Sequence, residues 1–342
     1  MAKHITEKER YQIEILRKEG YKPEEIAQAI GKSRRTIYYE LQRGMTEQLT
    51  SELIKKTVYL ADAAQRVYRE HKKNNGRSLK IGNDHAFVKF VEYWIGEQRY
   101  SPYAVLQRIK NDKLKFKTEI CEKTLYNYID SGLFLHIGNA NLPAKKAHKK
   151  QTYKRTVSLN NLKGPSIEQR PPEIKDRDTY GHWEMETVVS GQGKSTACLL
   201  VFSERQTREE IIFKIPDKRS ASVVKKLNQM ERDIGCKAFR ERFKTITCDN
   251  GVEFLDFIGI MRSYKNKKIP RTQIYFCHPY SSWERGTNEN TNKLIRRWIP
   301  KGTDISQVPD DKIKYIEQWI NEYPRRILEG QNSLGYKKEK AA

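Results

Sequence analysis

Three short apolar runs crowd the second half of this chain, at 183–190, 195–203 and 210–215, the first two divided by Gly191-Gln192-Gly193-Lys194. Such runs, bounded by turn residues, read as successive strands. A helix follows from Ser220, with Val223, Val224, Leu227 and Met230 on one face. Two further short runs, Thr245-Ile246-Thr247-Cys248 and Gln273 to Cys277, read as buried strands, and 287–298 as a helix. Three strands, a helix, a strand, a helix, a strand and a last helix is the order of a ribonuclease-H-like α/β fold. The expected class is therefore multidomain: all-α helix–turn–helix modules, then an α/β ribonuclease-H-like catalytic domain.

Three acids fall at telling places on that pattern. Glu186 lies in the first run, Asp249 follows the fourth, and Glu289 is in the last helix. Side chains alternate along a strand, so Glu184 and Glu186 share a face that Met185 avoids. Two acids on so apolar a strand are costly unless they reach a cleft or a cation. Asp249 stands where a strand enters a loop, and ligands gather outside the carboxyl ends of such strands. Asp249-Asn250-Gly251 would equally make a tight turn unaided. Glu289 alone could be a surface acid paired with Lys293 at i+4. Its neighbours Arg285, Asn288, Asn290, Asn292, Arg296 and Arg297 instead suit a metal ligand beside a phosphate track. Trp283 either stacks a base or anchors this helix. Together the acids can gather paired Mg²⁺ ions, which serve phosphodiester chemistry by activating an attacking oxygen and stabilising a leaving one.

The charge balance names the partner. With 66 Lys and Arg against 43 Asp and Glu, the net charge is +23, and the isoelectric point is near 9.6. A surplus this large favours nucleic acid over a merely solvated surface. No run is long and apolar enough for a membrane span, and no secretory signal is visible, so a cytoplasmic protein at the nucleoid is expected. The scattered Cys121, Cys198, Cys236, Cys248 and Cys277 lack metal-ligand spacing and read as small hydrophobes, without structural zinc.

The N-terminal 1–45 reads as a helix–turn–helix domain. Thr6 with Glu9 three residues on makes a capping box, Ile13, Ile15 and Leu16 supply apolar positions, and Gly20 stops the helix. A short helix runs from Pro23 to Ile30, and Ser33 caps a third. Ile37 and Leu41 face the core of this domain, leaving Arg34, Arg35, Thr36, Tyr39 and Arg43 to meet a major groove. A protein-interaction domain is the alternative. Residues 46–78 read as a helical connector, with one long polar helix over 46–75. Residues 79–135 read as a second helix–turn–helix-like domain or a plain helical hairpin, with Thr118, Glu122, Lys123 and Asn127 as exposed readers. The span 136–172 is a basic linker holding Lys145, Lys146, Lys149, Lys150, Lys154, Arg155 and Lys163 for phosphate contacts. The catalytic domain then covers 173–330 and a tail 331–342.

Gly-His-Trp-Glu at 181–184, Cys-Asp-Asn-Gly-Val-Glu-Phe at 248–254, the Arg285-Gly-Thr-Asn-Glu-Asn run and Ile-Pro-Lys-Gly-Thr-Asp at 299–304 resemble the IS-thirty family of insertion-sequence transposases. The resemblance implies a DDE enzyme with Asp249 and Glu289 as second and third catalytic carboxylates and Mg²⁺ as cofactor, replaceable by Mn²⁺. It also implies double-stranded DNA partners, namely the terminal inverted repeats and a target, and a homodimer or higher oligomer pairing two ends. The family has Asp at the position of Glu186. The extra methylene is expected to weaken catalysis, with Glu184 compensating in part. The alternative expectation is an inactive, sequence-specific DNA-binding regulator. A nuclease that cuts without joining is a third.

Overall fold

The computed structural model describes residues 4–74, 78–143, 164–278 and 286–341, without the side chains of 73, 74, 286–288 and 341. The chain divides into two compact units, Met1–Gly82 and Asn83–Ala342.

In the first unit, α1 (Glu7–Lys18) and α3 (Arg34–Gly44) start at the Thr6 and Ser33 caps, and α2 (Pro23–Ile30) starts at its proline. The capping box is present: Thr6 N–H donates to Glu9 (2.6 Å) and Glu9 N–H to Thr6 (3.3 Å). Gly31 ends α2 at φ +69°, a conformation glycine adopts without a Cβ penalty. Ile13, Ile26, Ile37 and Leu41 form the core, whereas Ile15 points to solvent at 56% exposure. Arg10 lies buried among them, 2.6 Å from Glu40 of α3 and stacked over Tyr68.

The long polar helix expected over 46–75 is instead a hairpin and a helix. β1 (Met45–Leu49) pairs antiparallel with β2 (Lys55–Tyr59), and α4 (Ala61–Asn74) follows. The cause is Gly44, where a Cβ would stand 2.4 Å from the Tyr59 ring and 2.8 Å from the Ala64 Cβ. Tyr59 and Ala64 thus close onto the end of α3 and turn the chain back. Almost every hairpin side chain is exposed, so no apolar periodicity announces the strands.

The second unit opens with α5 (His85–Glu92), a π-helical turn (Tyr93–Glu97), α6 (Pro102–Asn111) and α7 (Glu122–Asp130). Ser101 caps α6, with Pro102 in the first turn. These helices pack with the rest of the unit: Tyr100 lies against Trp94, Trp319 and Tyr323 with centroids 4.7–5.5 Å apart.

β3 (His182–Val189), β4 (Cys198–Glu204) and β5 (Glu210–Ile215) form an antiparallel meander. After α8 (Ser220–Ile234) and α9 (Cys236–Arg242), β6 (Thr245–Cys248) joins the other edge of β3 in parallel. α10 (Phe257–Met261) leads to β7 (Gln273–Phe276), parallel to β6. The order β5-β4-β3-β6-β7 is that of the ribonuclease-H-like sheet. One face carries a core of Trp183, Met185, Leu200, Phe202, Val223 and Leu227 beneath α8 and α9. The other face meets α11 (Gly286–Trp298) and α12 (Asp310–Glu322), and α13 (Ser333–Ala341) packs on α12. Among the described residues no helix is long and apolar enough to cross a membrane.

Candidate active site and DNA interface

Strand alternation on β3 separates two environments. Trp183 and Met185 enter the core under α8, and the acids face α11. Their fates differ. Glu184 is fully buried and paired with Arg205 from the β4–β5 turn, with its second oxygen unpartnered. Removing either member would strand a buried charge, so the pair is structural. The expectation that Glu184 compensates for Glu186 is thereby corrected.

Glu186 is only half buried and accepts a hydrogen bond from Asn292 Nδ2 of α11 at 2.6 Å. The β3–β6 register pairs Met185 with Cys248, so the next step along both parallel strands sets Glu186 beside Asp249. Asp249 stands just past the carboxyl end of β6, and Glu186 lies within the adjacent β3, three residues before its end. Asp249 Oδ1 accepts from Gly251 N–H (3.0 Å), and Asn250 reaches the Cys277 carbonyl (2.9 Å). The tight turn and the acid position are therefore one structure. A Cβ at Gly251 would meet Glu253 Oε2 at 2.4 Å and Asp249 Oδ1 at 2.9 Å, so a side chain there would displace both carboxylates.

Glu289, exposed in the first turn of α11, lies three residues before Asn292 and so shares its side of the helix. The register thus sets Glu186 beside Asp249, and Glu289 stands on the helix whose Asn292 touches Glu186. Among the described residues they do not close into a cluster of three or more metal-ligating groups. Three carboxylates repel one another without a cation between them, and Glu186 takes an amide instead. The donor set is all oxygen, the kind that hard cations such as Mg²⁺ prefer.

Sequence reasoning missed Glu253. It is buried four residues past Asp249, accepts from Thr187 Oγ1 and lies 3.3 Å from Lys218 Nζ. It braces the Asp249 turn against the back of β3, and its signal was its place in the 248–254 motif.

The basic residues sort into two groups. On α3, Arg34, Arg35 and Tyr39 are exposed, as expected, along with Tyr38 and Gln42, which the sequence reading passed over. Arg34 touches Glu24 (2.7 Å) in an exposed pair, which holds it weakly. Thr36 shares the Ser33 cap (2.7 Å). Arg43 turns inward onto Glu40, which corrects its assignment as a groove contact. On α7, Lys123 and Asn127 are exposed at i and i+4. Thr118 is buried, its N–H held by Asp84, and Glu122 pairs with Arg326, so neither is a free reader. Arg296 donates to the carbonyls of Ile299, Pro300 and Val189. Arg297 donates to the Arg99 carbonyl and the Tyr323 hydroxyl. Both are tied to carbonyls and a hydroxyl of the segments around the end of α11 rather than left to a phosphate track. Asn292 is engaged with Glu186. Lys145, Lys146, Lys149, Lys150, Lys154, Arg155, Lys163, Trp283 and Arg285 lie outside the described residues, as does the side chain of Asn288.

A helix–turn–helix unit ahead of a ribonuclease-H-like sheet with acids on two adjacent central strands defines a DNA-processing class. Comparison with known proteins narrows it. A helix-turn-helix domain model matches residues 2–44. The chain is 34% identical to the probable transposase for insertion-like sequence element IS1161 of Streptococcus salivarius, over 95% of this chain and 91% of that protein. It is 29% identical to the transposase for insertion sequence element IS4351 of Bacteroides fragilis, over 96% and 93%. Among solved structures, the catalytic core domain of BIV integrase aligns at a TM-score of 0.32 with 13% identity, over 48% of this chain and 97% of that one. The sheet order, not this alignment, carries the fold assignment. The chain belongs to the IS-thirty family of insertion-sequence transposases.

Proposed function

We propose that the chain binds the terminal inverted repeats of an insertion sequence and catalyses metal-dependent cleavage and strand transfer there. The observation that carries this reading is the register that sets Glu186 beside Asp249, with Glu289 on the helix that touches Glu186. These three carboxylates would hold Mg²⁺, or Mn²⁺ in its place. When bound, such ions polarise a phosphodiester and favour the ionised form of an attacking hydroxyl. The protein's own part is positional. The β3–β6 ladder fixes two acids, the Glu253 brace fixes the Asp249 turn, and Asn292 orients Glu186. α3 supplies Arg34, Arg35 and Tyr39 to the repeat, and α7 supplies Lys123 and Asn127 to flanking DNA. A dimer or higher oligomer would bring two ends together.

Glu186 attenuates this chemistry. Its longer side chain reaches Asn292, whereas Asp would hold its carboxylate one methylene nearer the β3 backbone. A displacement of this order costs roughly a hundredfold in rate. The test is end cleavage and joining with Mg²⁺ or Mn²⁺, comparing the chain with Glu186→Asp and Asp249→Asn. Glu186→Asp should raise the rate, up to about a hundredfold, and Asp249→Asn should abolish it. An unchanged rate in Glu186→Asp would remove the attenuation. Repeat binding without chemistry in the chain and in Glu186→Asp would overturn the catalytic reading in favour of a regulator. Cutting without joining would indicate a nuclease.

A further inference from the structure

A cavity of about 670 Å³ opens between α6, α7, α11 and the segment 323–327. That volume lies within the ~300–1,000 Å³ of small-molecule sites. Six cations line it (Arg177, Arg208, Lys293, Arg297, Arg325 and Arg326) against one carboxylate, Glu122. Some already have partners: Arg326 pairs with Glu122, Arg325 lies 3.7 Å from Glu210, and Arg297 holds the Arg99 carbonyl. Arg177 and Lys293 make no hydrogen bond or ion pair with the described residues.

Arg177 is an unusual residue to leave in this state. It is half buried, and burial and the neighbouring Arg205 lower its pKa. Burial pushes Arg208 down to about 10, with Arg177 adding to the effect. Both residues also hold left-handed backbones, φ +62° and +60°. Such conformations are strained for a non-glycine residue and collect at functional sites. Glu184 nearby offsets part of their repulsion but is committed to Arg205, so these strained, desolvated cations would be relieved by a further anion. Tyr103 and Tyr126 add aromatic walls, with Arg326 already 4.0 Å over the Tyr103 ring. Cations beside aromatic faces suit a phosphate with an attached base.

The position of the cavity matters as much as its lining. Asn290, Lys293, Leu294 and Arg297 recur at i, i+3, i+4 and i+7 and form its wall on α11. Asn292, on the neighbouring stripe, turns toward Glu186 of β3, and exposed Glu289 lies one turn before it. One helix therefore serves both the candidate acid site and this hollow. We propose that the cavity binds one nucleotide of the processed DNA strand, its phosphate on Arg177 and Lys293 and its base against Tyr103 or Tyr126. This inference rests on the reading that the second unit acts on DNA.

The test uses the full chain without metal and a 5′-phosphorylated single-stranded oligodeoxynucleotide with a photoreactive terminal base. Crosslinks should map to Tyr103 or Tyr126. Arg177→Gly should weaken binding about tenfold, the equivalent of one charge-assisted hydrogen bond. Glycine accepts φ +62° without strain, so the melting temperature should hold or rise, and lost binding cannot be ascribed to unfolding. Lys293→Gln should weaken binding in the same direction. Asp249→Asn, which abolishes cleavage in the reading above, should leave the crosslinks intact. Crosslinks at Tyr103 or Tyr126 in a parent chain that shows no cleavage with Mg²⁺ or Mn²⁺ would sink the cleavage reading alone. Crosslinks outside the cavity, or affinity within about twofold of the parent in Arg177→Gly, would overturn this proposal.

Discussion

α3 and α11 read alike in sequence, each a short polar helix carrying arginines, yet the structure treats them oppositely. On α3 the arginines of the first turn, Arg34 and Arg35, face solvent. On α11 the last-turn arginines, Arg296 and Arg297, fold back onto carbonyls and aromatic rings. Even α3 repeats the contrast, since Arg43 in its last turn closes on buried Glu40. A cation at a helix start meets N–H donors that need no second donor, so it extends outward. The cations at these helix ends meet a buried carboxylate or the oxygens of neighbouring segments and are drawn inward. Position along the helix, rather than charge count, separates surface from scaffold.

The sharpest attack on this contrast is Arg297→Ala. It removes two hydrogen bonds and a guanidinium stacked 5.0 Å from Tyr323. Loss of about 2–3 kcal/mol from the second unit is expected in urea unfolding. A loss below about 0.5 kcal/mol, ordinary for a surface site, would return Arg297 to the solvent-facing group.

A smaller effect concerns how α11 is anchored. Its Thr291 donates to Glu210 (2.6 Å), whose burial raises the carboxyl pKa to about 7 despite Arg325 and Ser203. Between pH 4.5 and about 7 the folded chain holds a proton that the unfolded chain has lost. This stabilising contribution is fully present below pH 4.5 and disappears as pH rises through about 7. Glu210→Gln should therefore flatten the fall in melting temperature across that window, with its largest gain over the parent above pH 7. An equal slope in both proteins would contradict the buried, proton-holding carboxyl.

The gentlest probe is Arg35→Ala, which should leave the first unit's melting temperature unchanged. Binding to repeat DNA should weaken, and the salt slope should fall by about 1. A drop in stability with no change in slope would place Arg35 beside Arg297.

Much of the fold could be read from the chain because its strands are apolar where the sheet is buried. β3, β4, β5 and α8 lie where the runs at 183–215 and Ser220 indicated. The caps at Thr6, Ser33 and Ser101 were equally plain, since each depends on residues within three positions. What escaped depends on distant partners. The hairpin at 45–59 is nearly all exposed, and its turn-back rests on Gly44 meeting Tyr59 and Ala64. For the candidate site, alternation put Glu184 and Glu186 on one face but could not reveal that Arg205 waits opposite one and Asn292 opposite the other. The role of Glu253 required knowing that its turn packs behind Thr187. Arg177 carried no motif at all, and only the folded cavity shows it.

The way the acid trio is distributed also sets a timetable. The first unit holds all its elements by Gly82, whereas the trio needs β3, β6 and α11, which begins at Gly286. At ribosomal speeds of about 5–20 residues per second, some 200 residues separate these events by roughly 10–40 s. During that interval the nascent chain has a complete helix–turn–helix unit and lacks the helix bearing Glu289. Each molecule is thus a reader of DNA before it acquires the last piece of its acid site, and a prematurely ended chain stays in that earlier state.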